Sequence, residues 1–172
     1  MRIVSWNCCG GFASKKNELL ALDPDIAIVS ESLLADADSL KLQGYESIWF
    51  GDSGQKGLAV IYKSSWSIRQ QRPSSHKWII PLDVSGPESF TLLAVWAWQE
   101  KGRPADYVKV IRRALAEHPE WLLHYSVVMA GDFNSHWKWD IEPENDFASL
   151  VANLNAHGLQ SAYHLHYVEC EL

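Results

Sequence analysis

The chain has 172 residues, of which 47% are hydrophobic and 21% are charged, an ordinary mixture for one globular domain with a sizeable core. No apolar run is long enough to predict a membrane span, and residues 1–11 are too short and polar for a secretory signal, so a cytoplasmic location is the default expectation. The formal net charge of −6 argues against a protein that coats nucleic acid through its own charge, but it suits an enzyme whose bound cation offsets carboxylates.

The N-terminal half is predicted to consist mainly of strands. A strand at residues 2–6 is followed by a helix that Ser14 can cap and that runs to Leu22, where Asp23-Pro24 closes it. The run at residues 26–29 is continuously apolar, which is typical of a strand covered on both faces. Further strands are predicted, in chain order, at residues 45–50, 58–62, 66–70, 78–84 and 90–98.

The C-terminal half adds helices. Pro104 is well placed in the first turn of a helix to about residue 118, and a second buried strand is predicted at residues 126–130. Asn145 or Asp146 can cap a helix to about residue 157, with Gly158 as its stop, and residues 160–163 are predicted to open another strand. This mixed order predicts an α/β protein with two packed sheets and helices outside, a four-layer α/β/β/α sandwich.

Polar side chains follow three of the predicted strands. They are Asn7, Glu31 and the pair Asp132 and Asn134, and together they would form an oxygen-rich pocket that suits a hard cation such as Mg²⁺. Each alone also has an ordinary structural interpretation: a turn-forming Asn7, a solvated helix cap at Glu31 and an Asx turn at residues 132–134. Cys8, Cys9 and Cys170 have the spacing of neither a disulfide framework nor a zinc site.

Four segments resemble the successive motifs of one family. "IVSWN" at residues 3–7, "DIAIVSE" at 25–31, "GLAVIYK" at 57–63 and "GDFNS" at 131–135 look like those of the endonuclease/exonuclease/phosphatase superfamily, which includes DNase I-like nucleases. The resemblance implies a DNase I-like fold over residues 1–172 and a nuclease-like phosphoester hydrolase that uses Mg²⁺, with Mn²⁺ as a substitute.

The resemblance also implies roles for the polar residues. Glu31 would be the main carboxylate on the metal, with Asn7 beside it, and Asp132 would help to deprotonate the attacking water. Asn134 would hold a phosphate oxygen and steady Asp132. The substrate class stays open among DNA, RNA, lipid and inositol phosphoesters.

Substrate contacts are expected from aromatic residues. Trp96 lies where many family members place a Tyr or His that touches the phosphate, although core packing is the alternative for an indole. Trp137 lies in a loop with His136 and Lys138, where rings interleaved with a cation can stack on bases, the alternative being that it covers the core.

The resemblance implies two further strands that carry an Asp and then an Asp-His pair, and the sequence reaches Leu172 without them. His164 and His166 lie too early to be that pair and are expected at the surface. We therefore expect a fold that lacks its last strands, an open sheet edge through which a homodimer could form, and slow turnover. The alternative function is a catalytically impaired domain that keeps the fold and metal site but acts in binding.

Overall fold

The computed structural model describes residues 1–40, 43–72, 76–98, 104–123, 126–136, 138 and 146–166, with backbone alone at 104 and 105. Its strands are β1 Ile3–Asn7, β2 Ile26–Ser32, β3 Tyr45–Phe50, β4 Gly57–Lys63, β5 Ser67–Gln70, β6 Ile79–Ser85, β7 Phe90–Trp96 and β8 Val127–Asp132. Its helices are α1 Phe12–Ala21, α2 Leu34–Asp38, α3 Pro104–Glu117, a 3₁₀ turn at Pro119–Leu122, α4 Phe147–Ala156 and α5 Ala162–His166.

Two four-stranded sheets organise the described chain, with strand orders β1-β2-β4-β3 and β5-β6-β7-β8. In the first sheet β1 and β2 are parallel, while β4 runs antiparallel to both β2 and β3. In the second sheet β7 and β8 are the parallel pair. Each sheet therefore contains one parallel pair whose carboxyl ends lie together at one edge.

Three apolar clusters give the layers. The first lies between the sheets and joins Ile28 of β2 to Leu82 and Leu92 of the other sheet. The second packs α1 and α2 on the outer face of the first sheet, and the third packs α3 and α4 on the outer face of the second. Neighbouring residues of β2 alternate between the inner and outer clusters, as a pleated strand requires. The predicted four-layer α/β/β/α sandwich is confirmed.

The strand predictions agree with the structure to within two or three residues at each end, with one exception. Residues 160–163 do not open a strand, because Ser161 Oγ accepts from the His164 backbone N–H at 3.4 Å and starts α5 instead. β8 was predicted to be a buried strand, and its two faces do pack against the inner and outer clusters. Its residues nevertheless stay half-buried, because the strand has one sheet neighbour among the described strands.

Two helix caps can be compared with their predictions. Ser14 does not cap α1: Gly11 is the N-cap, and the Ser14 hydroxyl donates to the Gly11 carbonyl at 2.9 Å from within the first turn. Asp146, one of two candidates, does cap α4 by accepting from the Ser149 N–H at 2.6 Å. The short helix α2 was not predicted. No helix within the described residues has the length and apolarity to cross a bilayer.

Candidate active site

The first sheet presents two polar side chains at the carboxyl ends of its parallel strands. Asn7 ends β1 and is the register partner of Ser30 in β2. The pairing continues beyond the strand, since the Cys8 N–H donates to the Ser30 carbonyl and the Gly10 N–H to the Glu31 carbonyl, each at 3.1 Å. The loop after β1 is therefore bound to the backbone that carries Glu31.

Glu31 occupies an irregular position in β2. The register with β4 shifts between Ser30 and Ser32, and Glu31 has a φ of +60°, in the left-handed region that non-glycine residues rarely adopt. Ser30 and Ser32 on either side are buried. A bulge of this kind redirects one side chain out of the alternation of its strand, and here it directs Glu31 toward Asn7.

The second sheet presents Asp132 at the end of β8, paired in register with Trp96 of β7. The preceding residue, Gly131, has a φ of +142°, and a Cβ there would lie 1.9 Å from the Val95 carbonyl oxygen. Only glycine fits this approach of two backbones. The glycine before Asp132 thus allows β8 to stay paired with β7 up to the residue that carries the carboxylate.

The polar ends of the two sheets meet at Asn7. Its Nδ2 donates to Glu31 Oε1 at 3.0 Å and to Asp132 Oδ2 at 2.7 Å. These partners lie 24 and 125 residues away along the chain. One carboxamide therefore joins two carboxylates that come from different sheets.

Two Asx turns fix the side chains at this point. Asn7 Oδ1 accepts from the Cys9 backbone N–H at 2.9 Å, and Asp132 Oδ1 accepts from the Asn134 backbone N–H at 3.0 Å. In both turns the third residue is left-handed, with a φ of +50° at Cys9 and +47° at Asn134. The Asx turn that we considered at residues 132–134 does form, and it leaves Asp132 Oδ2 directed at Asn7.

Lys56 supplies a cation to the same point. Its Nζ lies 2.5 Å from Glu31 Oε2, and the side chains are 46% and 23% exposed, respectively. Burial raises the pKa of Glu31, but the hydrogen bonds from Lys56 and Asn7 and the charge of Lys56 outweigh it and lower the pKa below its ordinary value. The hydrogen bond to Glu31 in turn raises the pKa of Lys56. Glu31 is thus ionised and already bound to a positive charge.

Asn134 is tied to β7 rather than directed at the two carboxylates. Its Nδ2 donates to the Ala97 carbonyl at 3.0 Å, and the Ala97 N–H donates to the Asp132 carbonyl at 2.8 Å. His136 is exposed and accepts from the Lys138 backbone N–H at 3.1 Å. Trp137 lies outside the described residues.

A cleft of about 710 Å³ opens beside Glu31. It is lined by Glu31, Asp52, Gln55, Lys56, Lys77, Trp78, Trp96 and Trp98. Trp96 is 4% exposed and belongs to the core between the sheets. It therefore packs in the core and also forms part of the cleft wall. Sequence reasoning missed Lys56, Lys77 and Trp98. Trp98 could have been found from the sequence, because it lies two residues after Trp96 and side chains two residues apart in an extended segment share a face.

A family profile decides the relationship. The profile of the Endonuclease/Exonuclease/phosphatase family matches residues 4–151. The chain belongs to this family. The match includes Asn7, Glu31, Asp132 and Asn134. No curated protein matches the sequence significantly.

Solved structures of this family's fold resemble the chain. TDP2 from C. elegans gives a TM-score of 0.63 at 16% identity, over 81% of this chain and 49% of that one. D. rerio TDP2 complexed with single strand DNA product gives 0.58 at 20%, over 93% and 65%. The human Nocturnin catalytic domain with bound sulfate anion gives 0.59 at 18%, over 96% and 73%. The likeness is one of fold, and the chain spans about half to two thirds of the TDP2 chains.

Proposed function

We propose that the chain is a divalent-metal-dependent phosphoester hydrolase of the nuclease type. The observation that carries the proposal is the contact of Asn7 with both Glu31 and Asp132, which joins two carboxylates from separate sheets at one point. Family membership over residues 4–151 supports the same reaction class. A purely structural polar cluster would not require a bulge at Glu31 and two left-handed Asx turns around it.

The donor set fits a hard cation such as Mg²⁺, with Mn²⁺ as its substitute. Glu31 offers carboxylate oxygens, one of which already binds the ammonium group of Lys56 as a stand-in cation. Among the described residues, no group of three His, Cys, Asp or Glu side chains surrounds one point. Such a group is not required, because Mg²⁺ usually takes only one or two carboxylates and completes its coordination with water and phosphate. Glu31 would hold the ion, and Asn7 could join it through the second lone pair of Oδ1, which already accepts from the Cys9 N–H.

The bound metal would polarise the phosphoester and offset the charge that builds on its oxygens. Residues of this chain would accept the proton of the attacking water and position the reacting groups. Asp132 would accept a proton from the attacking water through Oδ2, while the Asn134 N–H holds its other oxygen. Asn7 would fix the spacing between Asp132 and Glu31. Asn134, through Ala97, would keep β7 and β8 in place, and the second N–H of its Nδ2 could donate to a phosphate oxygen.

Nucleic acid is the substrate class that we propose. D. rerio TDP2 is complexed with a single-stranded DNA product, and the Nocturnin catalytic domain binds sulfate, a tetrahedral anion like phosphate. The net charge of −6 favours a substrate that is held briefly at the site over one bound along a basic surface.

The test is a hydrolysis panel with Mg²⁺ and with Mn²⁺ on single-stranded DNA, abasic duplex DNA, RNA and an aryl phosphodiester. We expect metal-dependent cleavage of at least one nucleic acid. Asp132→Asn keeps the shape and removes the base, so its rate should fall by about 10²–10⁴-fold. The amide can accept only one of the two hydrogen bonds that Asp132 accepts, so the melting temperature should fall by a few degrees as well.

Asp83→Asn is the matched control, because Asp83 binds Arg69 and Gln71 on the surface, away from the site. It should cleave at the parent rate. Cleavage that survives Asp132→Asn would remove Asp132 from the reaction. A parent chain that binds the nucleic acid but cleaves none of the panel would favour the binding-only alternative.

A further inference from the structure

The cleft beside Glu31 has one wall made of tryptophans. The ring centroids of Trp78 and Trp96 are 4.8 Å apart, those of Trp96 and Trp98 are 5.8 Å apart, and those of Trp78 and Trp98 are 6.1 Å apart. We call these three residues the tryptophan wall. Trp98 is its exposed member, with 40% of its surface accessible, whereas Trp96 is 4% exposed. A large exposed indole in a cleft offers a flat face to a ligand.

The tryptophan wall is rigidly connected to the carboxylates. Ala97, between Trp96 and Trp98, accepts from Asn134 Nδ2 and donates to the Asp132 carbonyl. Trp96 is also the register partner of Asp132. A group stacked on Trp98 would therefore be held at a fixed position relative to Asp132, which is what a subsite for the reacting substrate requires.

Trp96 adds an unmet hydrogen-bonding requirement. Its Nε1 is buried, and no group of the described residues accepts from it. A buried donor without a partner is unfavourable, and Nε1 is out of reach of solvent, so it is not itself a contact for a ligand. Trp96 lines the cleft with other atoms of its ring, and contact with a ligand is therefore left to the exposed Trp98.

The cationic groups on the cleft indicate what lies next to that ring. Lys77 Nζ is 4.9 Å from the centroid of Trp78 and is paired with Asp52, and Lys56 is paired with Glu31. Two ammonium groups in a cleft with an indole face suit a ligand that combines a flat ring with phosphate. An acyl chain would remove water from both ion pairs and from Gln55 without offering them a polar group in return.

We propose that the tryptophan wall is a subsite for a nucleobase of the nucleotide whose phosphate would lie at the metal ion held by Glu31. This rests on the proposed phosphoester hydrolysis and names its substrate class as nucleic-acid strands or nucleotides with an unstacked base. A base inside a duplex is stacked on its neighbours and cannot reach Trp98, so single-stranded ends are the preferred substrates.

The test measures binding by calorimetry and saturation-transfer NMR on the whole chain, using adenosine, ribose, phenol and inositol as probes. Adenosine should bind, phenol more weakly, and ribose and inositol not detectably. Trp98→Leu should weaken adenosine binding about five-fold or more, and Trp98→Phe, which keeps a ring, should restore most of it. Tyr163→Leu removes an exposed ring of α5 as the matched control and should leave binding unchanged.

The outcomes separate the two proposals, because adenosine has no phosphate and cannot be hydrolysed. Equal binding of adenosine and ribose, or adenosine binding that is indifferent to Trp98→Leu, would overturn the nucleobase subsite even if the chain cleaves phosphoesters. Adenosine binding lost in Trp98→Leu supports the subsite even if the hydrolysis panel fails. A lower KM for single-stranded than for duplex DNA, lost in Trp98→Leu, would assign the subsite to polymer substrates, whereas the same loss only for AMP would assign it to free nucleotides.

Discussion

Replacing Lys56 with Met is expected to strengthen metal binding. Lys56 Nζ lies 2.5 Å from Glu31 Oε2, so the ammonium group occupies the carboxylate that we propose for the metal. A cation can bind there only after this ion pair opens. Both side chains are partly exposed, and such pairs contribute about 0.2–1 kcal/mol. Releasing that contribution should lower the dissociation constant of Mn²⁺ about 1.4- to 5-fold, since about 1.4 kcal/mol corresponds to ten-fold.

Calorimetric titration of Mn²⁺ measures this effect directly. Lys56→Arg keeps the positive charge and is the matched control, with an affinity close to that of the parent. Glu31→Gln sets the lower reference, because it removes the carboxylate and should abolish specific binding. Weaker Mn²⁺ binding in Lys56→Met would refute the competition and would show that the lysine contributes to the metal site. An unchanged constant would mean that the pair has no net effect on the metal.

Three further predictions concern stability and association. Gly131→Ala should lower the free energy of unfolding by at least about 3 kcal/mol in denaturant titration, because its Cβ would lie 1.9 Å from the Val95 carbonyl oxygen; full stability would contradict the close approach. The pKa of Asp25 is lowered, first by the Arg2 N–H that donates to it at 2.6 Å. The stability that the Asp25 carboxylate gives to the fold is therefore present above the ordinary pKa of an aspartate. It is lost as the pH falls through the lowered pKa of Asp25. Asp25→Asn should therefore lower the free energy of unfolding by about 1 kcal/mol near neutral pH and leave it unchanged in strong acid. Self-association through the edge of β8 should appear as a mass that rises with concentration in sedimentation; a constant monomer mass would exclude it.

Much of the fold could be predicted because burial leaves a pattern in the sequence. The apolar run at residues 26–29 is uninterrupted, which marks a strand covered on both faces, and β2 is such a strand. The segment at residues 160–163 begins with the polar residues Gln160 and Ser161, so no such run marks it, and the hydroxyl of Ser161 caps a helix there. The half-burial of β8 could not be predicted either, because it depends on the position of the strand in the sheet order.

The residues of the candidate site also differ in whether the sequence alone predicts them. Asn7, Glu31 and Asp132 could be named from the sequence because each ends an apolar strand, and the structure brings them together. Lys56 follows no strand and lies in a loop, so only the three-dimensional structure reveals its contact with Glu31. The orientation of Asn134 toward Ala97 likewise depends on the pairing of β7 with β8.

Unfavourable backbone conformations are concentrated at this point of the molecule. Of the four non-glycine residues with positive φ among those described, three are Cys9, Glu31 and Asn134. Each stands at the end of a strand that contributes to the site, where the conformation is unfavourable for the isolated residue and is held by the surrounding hydrogen bonds. A chain that needed only a stable sandwich could end β1, β2 and β8 without this cost. The strain is explained if the three strand ends must hold their carboxylates and carboxamide in fixed positions for a metal and a phosphate, which is the arrangement that the hydrolysis and Mn²⁺ experiments examine.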